Sequence, residues 1–345
     1  MNNIKISFCI PTYNRSNLLS ELIESIISQC EKRNDIEICI SDNASSDNTS
    51  VMIAEWKERT NIPIIYKVNE ENIGADGNYL AAVGLASGEY CWLFGSDDKL
   101  QPDAIEKIMC HVSDNHDIYI VDRVECDFNM NPVYRRTWMN TGDKIYYTSR
   151  REDLLDYFNN SYSVGAVFSY LSSIIVKRMK WCNIVFDPKF IGSYYAHVFY
   201  LLGIVKNGAQ LKYVKSALVL SRGGNDSFAT NGLIKRIEID FHGYFLLADE
   251  FFPNDYKLNE KFKAILLKEH PAIHTLIKTS MLGEEQDLVK MKNFYTELGI
   301  SSSIINFVYF WGPIYRFANI IKLSYLYKKL RKVVTFYKGS YNHID

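Results

Sequence analysis

Over its first hundred residues the chain alternates without exception between short β-branched apolar runs and segments of helical spacing. Ile4–Ile10, Ile36–Ile40, Ile62–Val68 and Tyr90–Phe94 have strand character. The stretches between them carry apolar residues three and four apart, as at Leu19, Leu22, Ile23, Ile26 and Ile27. This alternation predicts βαβ units, and hence a parallel sheet with helices on both faces. Ligands of such sheets bind beyond the carboxyl ends of the strands, so the segments that follow the four strands are where chemistry is expected.

All four segments are polar: Pro11-Thr12-Tyr13-Asn14-Arg15, Ser41-Asp42-Asn43-Ala44-Ser45-Ser46-Asp47, the run from Asn69 to Asp76, and Gly95-Ser96-Asp97-Asp98. Adjacent Asp97 and Asp98 repel each other unless something compensates them. Mg²⁺ or Mn²⁺, held by one or two carboxylates and by phosphate oxygens, is one compensation; a solvated turn that caps the helix starting near Pro102 is the other. Asp42 could accept hydrogen bonds from a ribose or base, or belong to the Ser/Asp/Asn cluster that starts the next helix. The Pro11–Arg15 loop offers N–H groups and a cation beside a helix N-terminus, a usual place for anions.

Beyond Asp98 the pattern is mixed. A helix over Pro102–His116, strands at Ile118–Val124, Ser172–Lys177 and Leu211–Leu220, and a helix over Tyr194–Lys206 surround an irregular or hairpin stretch from Phe128 to Tyr147. From Leu233 onward only helices read.

Taken together the four segments resemble the nucleotide-diphospho-sugar glycosyltransferases of family 2, which have the GT-A fold. The resemblance implies an α/β molecule with a mixed, mostly parallel central sheet and a C-terminal helical region. Residues 1–228 would be the GT-A catalytic domain, with a nucleotide-binding half at 1–100 and an acceptor half at 101–228; residues 229–345 would be the helical region. It implies that Pro11, Thr12, Tyr13 and Arg15 line a nucleotide pocket, that Asp42 contacts base or ribose, and that Asn72, Gly74, Asn78 and Ser96 complete it. Asp97-Asp98 becomes the D-x-D-type site for Mn²⁺ or Mg²⁺ and diphosphate, with most ligation on Asp98 because Gly95 replaces the family's first acid.

A second departure lies at the catalytic base. Family members carry a Glu-Asp pair at the start of a helix that ends in Gly; counting back from Gly208, that pair falls on Ala196-His197. An imidazole can take a hydroxyl proton near neutral pH, so His197 is the candidate base, or alternatively a metal ligand or a core histidine. Asp187 and Asp226 are the fallback bases. Arg222, in Ser221-Arg222-Gly223-Gly224, resembles the family's arginine that closes on the diphosphate; an exposed Arg in a Gly-rich turn is the plain alternative.

The run Ile191-Gly192-Ser193-Tyr194-Tyr195-Ala196-His197-Val198 looks like abequosyltransferase-type enzymes of O-antigen assembly. That narrower resemblance implies a CDP-linked dideoxyhexose donor, with UDP-, GDP- or dTDP-sugars as alternatives, and a polyprenyl-diphosphate-linked oligosaccharide acceptor. A rival enzyme, a sugar-phosphate nucleotidyltransferase, needs a Gly-rich loop after the first strand, and Pro11–Arg15 has no glycine. A catalytically silent nucleotide-sugar-binding or scaffold protein is the rival from another class.

Charge bears on the partners. The net charge of −1 argues against a nucleic-acid coat. It is unevenly spread: Leu298–Asp345 holds seven Lys/Arg against Asp345 alone, and the 32 basic and 39 acidic residues before it carry −7. The aromatic, basic tail suits an anionic membrane surface, or else a helix pair with a solvated face. Neither Tyr157–Val176 nor Leu298–Tyr315, the latter broken by Gly312-Pro313, is apolar enough to span a bilayer. Seven cysteines without a C-x-x-C pair suggest neither zinc nor a disulfide framework. With a strand-like start and no leader pattern, the expected location is cytoplasmic, peripheral on the inner face of the cytoplasmic membrane.

Overall fold

The computed structural model describes residues 4–30, 33–225, 232–320 and 341–343. They divide into two compact units, one of Met1–Ser161, Gly165–Asn225 and Asn342–Asp345, the other of Tyr162–Val164 and Asp226–Tyr341.

In the first unit β1 (Ile6–Thr12), α1 (Ser16–Ile27), β2 (Ile36–Asp42), α2 (Thr49–Arg59), β3 (Ile64–Val68), α3 (Gly74–Gly84) and β4 (Tyr90–Leu93) follow one another as the alternation requires. β1 lies parallel to β2 and β4, and β2 to β3. Then come β5 (Lys99–Leu100), α4 (Ala104–Val112), β6 (Ile118–Cys126), β7 (Pro132–Arg136), β8 (Lys144–Tyr147), α5 (Arg151–Asn160), β9 (Ile174–Lys177), α6 (Arg178–Cys182), α7 (Ala196–Lys206) and β10 (Gln210–Arg222). The strand order is β7-β6-β9-β4-β1-β2-β3, and β10 pairs with β5, β6 and β8. β9 runs antiparallel between β4 and β6, which makes the sheet mixed.

Ile6, Phe8 and Ile10 on β1 are fully buried with Leu19, Leu22, Ile23 and Ile26 of α1, each such side chain contributing about 1.5–3 kcal/mol. Cys9, Cys39 and Cys91 lie buried on three neighbouring strands as small hydrophobes. Glu37, also buried, accepts from Ser7 Oγ, Ser87 N and Oγ, and Gly88 N. A Cβ at Gly88 would lie 2.7 Å from Ser7 Oγ, so only glycine fits that turn.

The second unit contains α8 (Leu233–Phe251), α9 (Tyr256–Glu269), α10 (Ala272–Leu282), α11 (Glu285–Glu297), α12 (Ser302–Phe310) and α13 (Gly312–Ile320). Asp255 and Ser301 cap α9 and α12, and Glu284 with Asp287 forms a capping box on α11. Phe241, Tyr244, Phe262, Leu266, Met291 and Tyr295 fill its core. On α12 and α13, Phe307, Phe310, Ile314 and Phe317 stay 54–76% exposed. No helix among the described residues is long and apolar enough to cross a membrane.

Candidate active site

The first two loops are stapled to each other. Thr12 and Asp42 are register partners at the ends of β1 and β2. Asn14, at φ 51°, donates its N–H to Ser45 Oγ and accepts from Ser46 N through Oδ1. Ser16 N, at the start of α1, is taken by Asp47 Oδ2 at 2.9 Å. An acid of the chain thus occupies part of the anion position expected at that helix end. Asp42 is 2% exposed and accepts from Ser45 N through Oδ1 and from Tyr66 Oη, at 2.5 Å, through Oδ2. Burial first and Asp42 second push the Tyr66 phenol well up. Thr12 Oγ1 is buried with no hydrogen-bond partner among the described residues.

The third segment docks over these strand ends. Asn43 Nδ2 donates to Asn72 Oδ1 at 2.7 Å, and Asn43 Oδ1 accepts from Ile73 N. Gly74, at φ 77°, turns the chain into α3, and Asn78 Nδ2 reaches Thr12 O at 3.1 Å. Asn72, Gly74 and Asn78 therefore brace Thr12 and Asn43.

At the end of β4 the two adjacent acids find separate partners. Asp97 Oδ2 pairs with Arg15 Nη1 at 3.0 Å and accepts from Asn225 Nδ2 at 2.8 Å. Asp98 is 5% exposed; its Oδ2 accepts from Tyr170 Oη at 2.5 Å and Ser172 Oγ at 2.6 Å, and its Oδ1 from Arg222 N at 3.1 Å. Burial, then Asp97, push the Asp98 carboxyl up to about 7, against the pull of Ser172 and Tyr170. Ser96, beside them in the turn, is buried. Arg222 spends its guanidinium on Asp97 O, Phe128 O and Glu21 Oε2, so here it braces the acidic turn and is no exposed turn residue.

A residue the sequence reading passed over organises the neighbouring loop. Asp76, in the first turn of α3 and 2% exposed, accepts from Gly192 N, Tyr194 N and Ala196 N at 2.8–3.1 Å. Its carboxylate sits on the N-terminus of α7, where the helix dipole favours negative charge. The helix end where the resemblance implies a pair of acids is thus capped by an acid from another helix.

His197 is the second residue of α7 and 2% exposed. Its Nε2 lies 3.0 Å from Phe168 O, which makes Nε2 the donor and leaves the Nδ1 lone pair unpartnered among the described residues. The Tyr79 ring meets it edge-on. Burial pulls its pKa down to about 4, so the imidazole is neutral at pH 7. Phe168 stands at φ 75°, a conformation a bulky side chain adopts only when its surroundings hold it there. The segment from Phe168 to Ser172 links His197 to Asp98, since Phe168 O meets the imidazole while Tyr170 and Ser172 meet the carboxylate.

Asp187 is half-buried, and its hydrogen bonds to Lys189, backbone N–H first, hold its carboxyl below the usual range. Asp226 lies outside the described residues. Tyr13 is 46% exposed on the rim and makes a natural stacking face. Among the described residues no three His, Cys, Asp or Glu side chains converge as a metal-binding group, so His197 does not join Asp97 and Asp98 in one.

The glycosyl transferase family 2 model matches residues 7–177, which hold the first four strand ends and the Phe168–Ser172 segment. Abequosyltransferase RfbV of Salmonella typhimurium is 42% identical over 331 residues, covering 95% of this chain and 99% of that protein. The GalNAc(5)-diNAcBac-PP-undecaprenol beta-1,3-glucosyltransferase of Campylobacter jejuni is 33% identical over 191 residues, 55% of this chain and 57% of that protein. The crystal structure of S. aureus TarS 1-349 in complex with UDP superposes with a TM-score of 0.59 at 15% identity, covering 94% of this chain and 92% of that one. This likeness shows the GT-A fold. With a relative 42% identical along nearly its whole length and the family model on its sheet, the chain belongs to glycosyl transferase family 2.

Proposed function

We propose that this chain moves a hexose or deoxyhexose from a nucleotide-diphosphate sugar to a hydroxyl of a lipid-linked oligosaccharide, with a CDP-linked dideoxyhexose of the abequose type as donor. The near full-length likeness to an abequosyltransferase carries the reading, and the relative named for an undecaprenol-linked substrate supports a lipid-linked acceptor.

Whether Asp97 and Asp98 suit a divalent cation can be read from their lone pairs. A carboxylate offers about four acceptor positions. Asp98 Oδ2 receives two donors and Oδ1 one, while Asp97 Oδ1 receives none among the described residues. A Cβ at Gly95 would sit 3.2 Å from Asp97 Oδ1 and 3.3 Å from Asp98 Oδ2, so the bare glycine leaves room beside both acids. The residues fit a hard cation, with Asp97 Oδ1 carrying more of the ligation than its place in the motif suggests. Bound Mg²⁺ or Mn²⁺ would supply positive charge against the departing diphosphate.

The chain's own residues do the rest. Arg15 and Asn225 fix the Asp97 rotamer, and Tyr170, Ser172 and Arg222 N fix that of Asp98. Thr12, Tyr13 and Asp42 line the nucleotide side, Asp42 keeping lone pairs beyond those given to Ser45 and Tyr66. His197 Nδ1 takes the proton of the attacking hydroxyl.

Melting curves with CDP-, UDP-, GDP- and dTDP-sugars in the presence of Mn²⁺ test the donor reading. A CDP-sugar at one hundred times its Kd should stabilise the fold by about 3 kcal/mol. No response to any nucleotide sugar would overturn the function, and a response without turnover or donor hydrolysis would favour a silent binding protein.

Membrane attachment is proposed through the second unit. Phe307, Phe310, Ile314 and Phe317 are exposed aromatic or aliphatic side chains, and Lys322, Lys328, Lys329, Arg331, Lys332 and Lys338 follow outside the described residues. Arg316 contributes less to this face, since it donates to Ser280 O. Replacing Phe307, Phe310 and Phe317 with Ser removes no buried side chain, and should release the protein from anionic vesicles in flotation assays. Binding that survives both this change and deletion of Leu298–Asp345 would place the membrane contact elsewhere.

A further inference from the structure

A charged cluster on β6 and β7 lies beside the residues that hold Asp98. β6 and β7 pair so that Arg123 stands directly opposite Arg136. Like charges in that position repel. Glu125, two residues along β6, relieves the repulsion: its Oε1 accepts from Arg123 Nε at 2.9 Å and from Arg123 Nη2, and lies 3.4 Å from Arg136 Nη1. The Arg123 guanidinium stacks 3.8 Å from the centroid of the Tyr170 ring and 4.9 Å from that of Trp138. Tyr170 is the residue whose hydroxyl holds Asp98. In the register with β10, Glu125 faces Ser221, the neighbour of the Arg222 N–H that also bonds Asp98.

The arrangement leaves an uneven pattern of partners. Every hydrogen bond to Glu125 arrives at Oε1, so Oε2 is an open acceptor among the described residues. Arg123 Nη1 is likewise a donor without a protein acceptor among them. The two side chains are 15% and 11% exposed, reachable yet largely desolvated. A buried ion pair kept only for support would use both carboxylate oxygens, because each unmet lone pair costs free energy. A fixed acceptor beside a fixed donor matches instead two neighbouring hydroxyls of a pyranose ring, each contact being of the charge-assisted kind. A phosphate suits the site poorly, since Glu125 Oε2 would face its oxygens.

We propose that Arg123 and Glu125 form a subsite for a neutral sugar ring of the acceptor, holding it next to the Tyr170–Asp98 pair. The assignment rests on the transferase reading above and adds to it the residues that choose the acceptor. Its distinguishing claim is that changes here act on the acceptor and leave the donor untouched.

The test uses the full chain with methyl pyranosides of glucose, galactose and mannose as probes, followed by saturation-transfer NMR, and with inorganic pyrophosphate as the anionic control. At least one glycoside should bind the unaltered protein, and E125Q and R123K should each weaken it at least tenfold. Melting shifts with the nucleotide sugars should remain within twofold. E125Q preserves the shape of the side chain, and R123K keeps the charge while losing the fork, so the pair separates hydroxyl recognition from simple charge. Three results would overturn the proposal: no glycoside binding to the unaltered protein, equal binding by both variants, or pyrophosphate binding that E125Q strengthens and R123K weakens. Glycoside binding that responds to the variants in a protein that transfers from no nucleotide sugar would instead keep the subsite and end the transferase reading.

Discussion

Asp98→Asn should lower sugar transfer by about 10²–10³-fold, the loss seen when one preorganised charge-stabilising group is removed from an active site. The same variant should melt at a higher temperature than the unaltered protein at pH 8 without divalent cations. Both expectations come from one environment. Asp98 is buried, with its pKa raised to about 7 by desolvation and then by Asp97. A carboxyl raised above its unfolded value binds protons more tightly when folded, so the folded state loses stability as pH rises from the unfolded pKa through the folded one. At pH 8 the ionised group opposes folding, and an amide of the same shape does not. Tyr170 and Ser172 offer hydroxyls that can rotate to accept from the new NH₂, so the substitution is sterically and polarly tolerable. A gain in stability with a loss of turnover would mark Asp98 as a group held at a cost for its chemistry. Turnover like that of the unaltered protein, measured with Mn²⁺ present, would remove Asp98 from the site.

What could be read from the sequence and what could not separate by the range of the interaction. Strand ends are local features: apolar runs, β-branched in β1, β2 and β3 and aromatic in β4, set where the strands stop, and the polar residues just after them had to share one rim. That argument pointed to Asp42, Asp97 and Asp98 without any knowledge of their partners. The partners lie far along the chain. Asp76 reads as an ordinary first-turn acid of a helix, and its role depends on three N–H groups at Gly192, Tyr194 and Ala196. Tyr170 is one aromatic in a run of apolar residues, and only the mixed sheet, with β9 antiparallel beside β4, brings it to Asp98. The resemblance places Arg222 near the diphosphate, and the partners its guanidinium meets, Asp97 O, Phe128 O and Glu21 Oε2, lie far from it along the chain. The composition of Ile118–Cys126 reads as a buried strand, and nothing in that pattern says that Arg123 and Glu125 would share it with a facing Arg136. A hint was available in Arg123 and Glu125, two opposite charges two apart in the strand, where alternation places i and i+2 on one face.

His197→Gln should reduce transfer by about 10²–10⁴-fold, the usual contribution of a positioned proton acceptor, while donor binding stays unchanged. Glutamine suits the test because its amide nitrogen can reach the position of Nε2 and still donate to Phe168 O, whereas the basic Nδ1 disappears. The pH dependence of stability gives a second readout that does not depend on catalysis. A buried histidine whose pKa is lowered to about 4 binds protons less tightly when folded than when unfolded. Its contribution is fully present above the unfolded value near 6.5 and is lost as pH falls through about 4, a span worth about 3 kcal/mol. His197→Gln should therefore flatten the stability curve between pH 6.5 and 4. It follows that rate and stability can be separated. If the curve flattens while turnover persists, His197 is a core histidine that shapes the Phe168–Ser172 segment, and the proton goes to another acceptor. If both change, the lone pair at Nδ1 is the acceptor of the hydroxyl proton. A base with so low a pKa also predicts that His197 itself adds no limb near 6.5 to the rate profile, since no proton remains to be removed from it there, so that any limb near 7 belongs to Asp98.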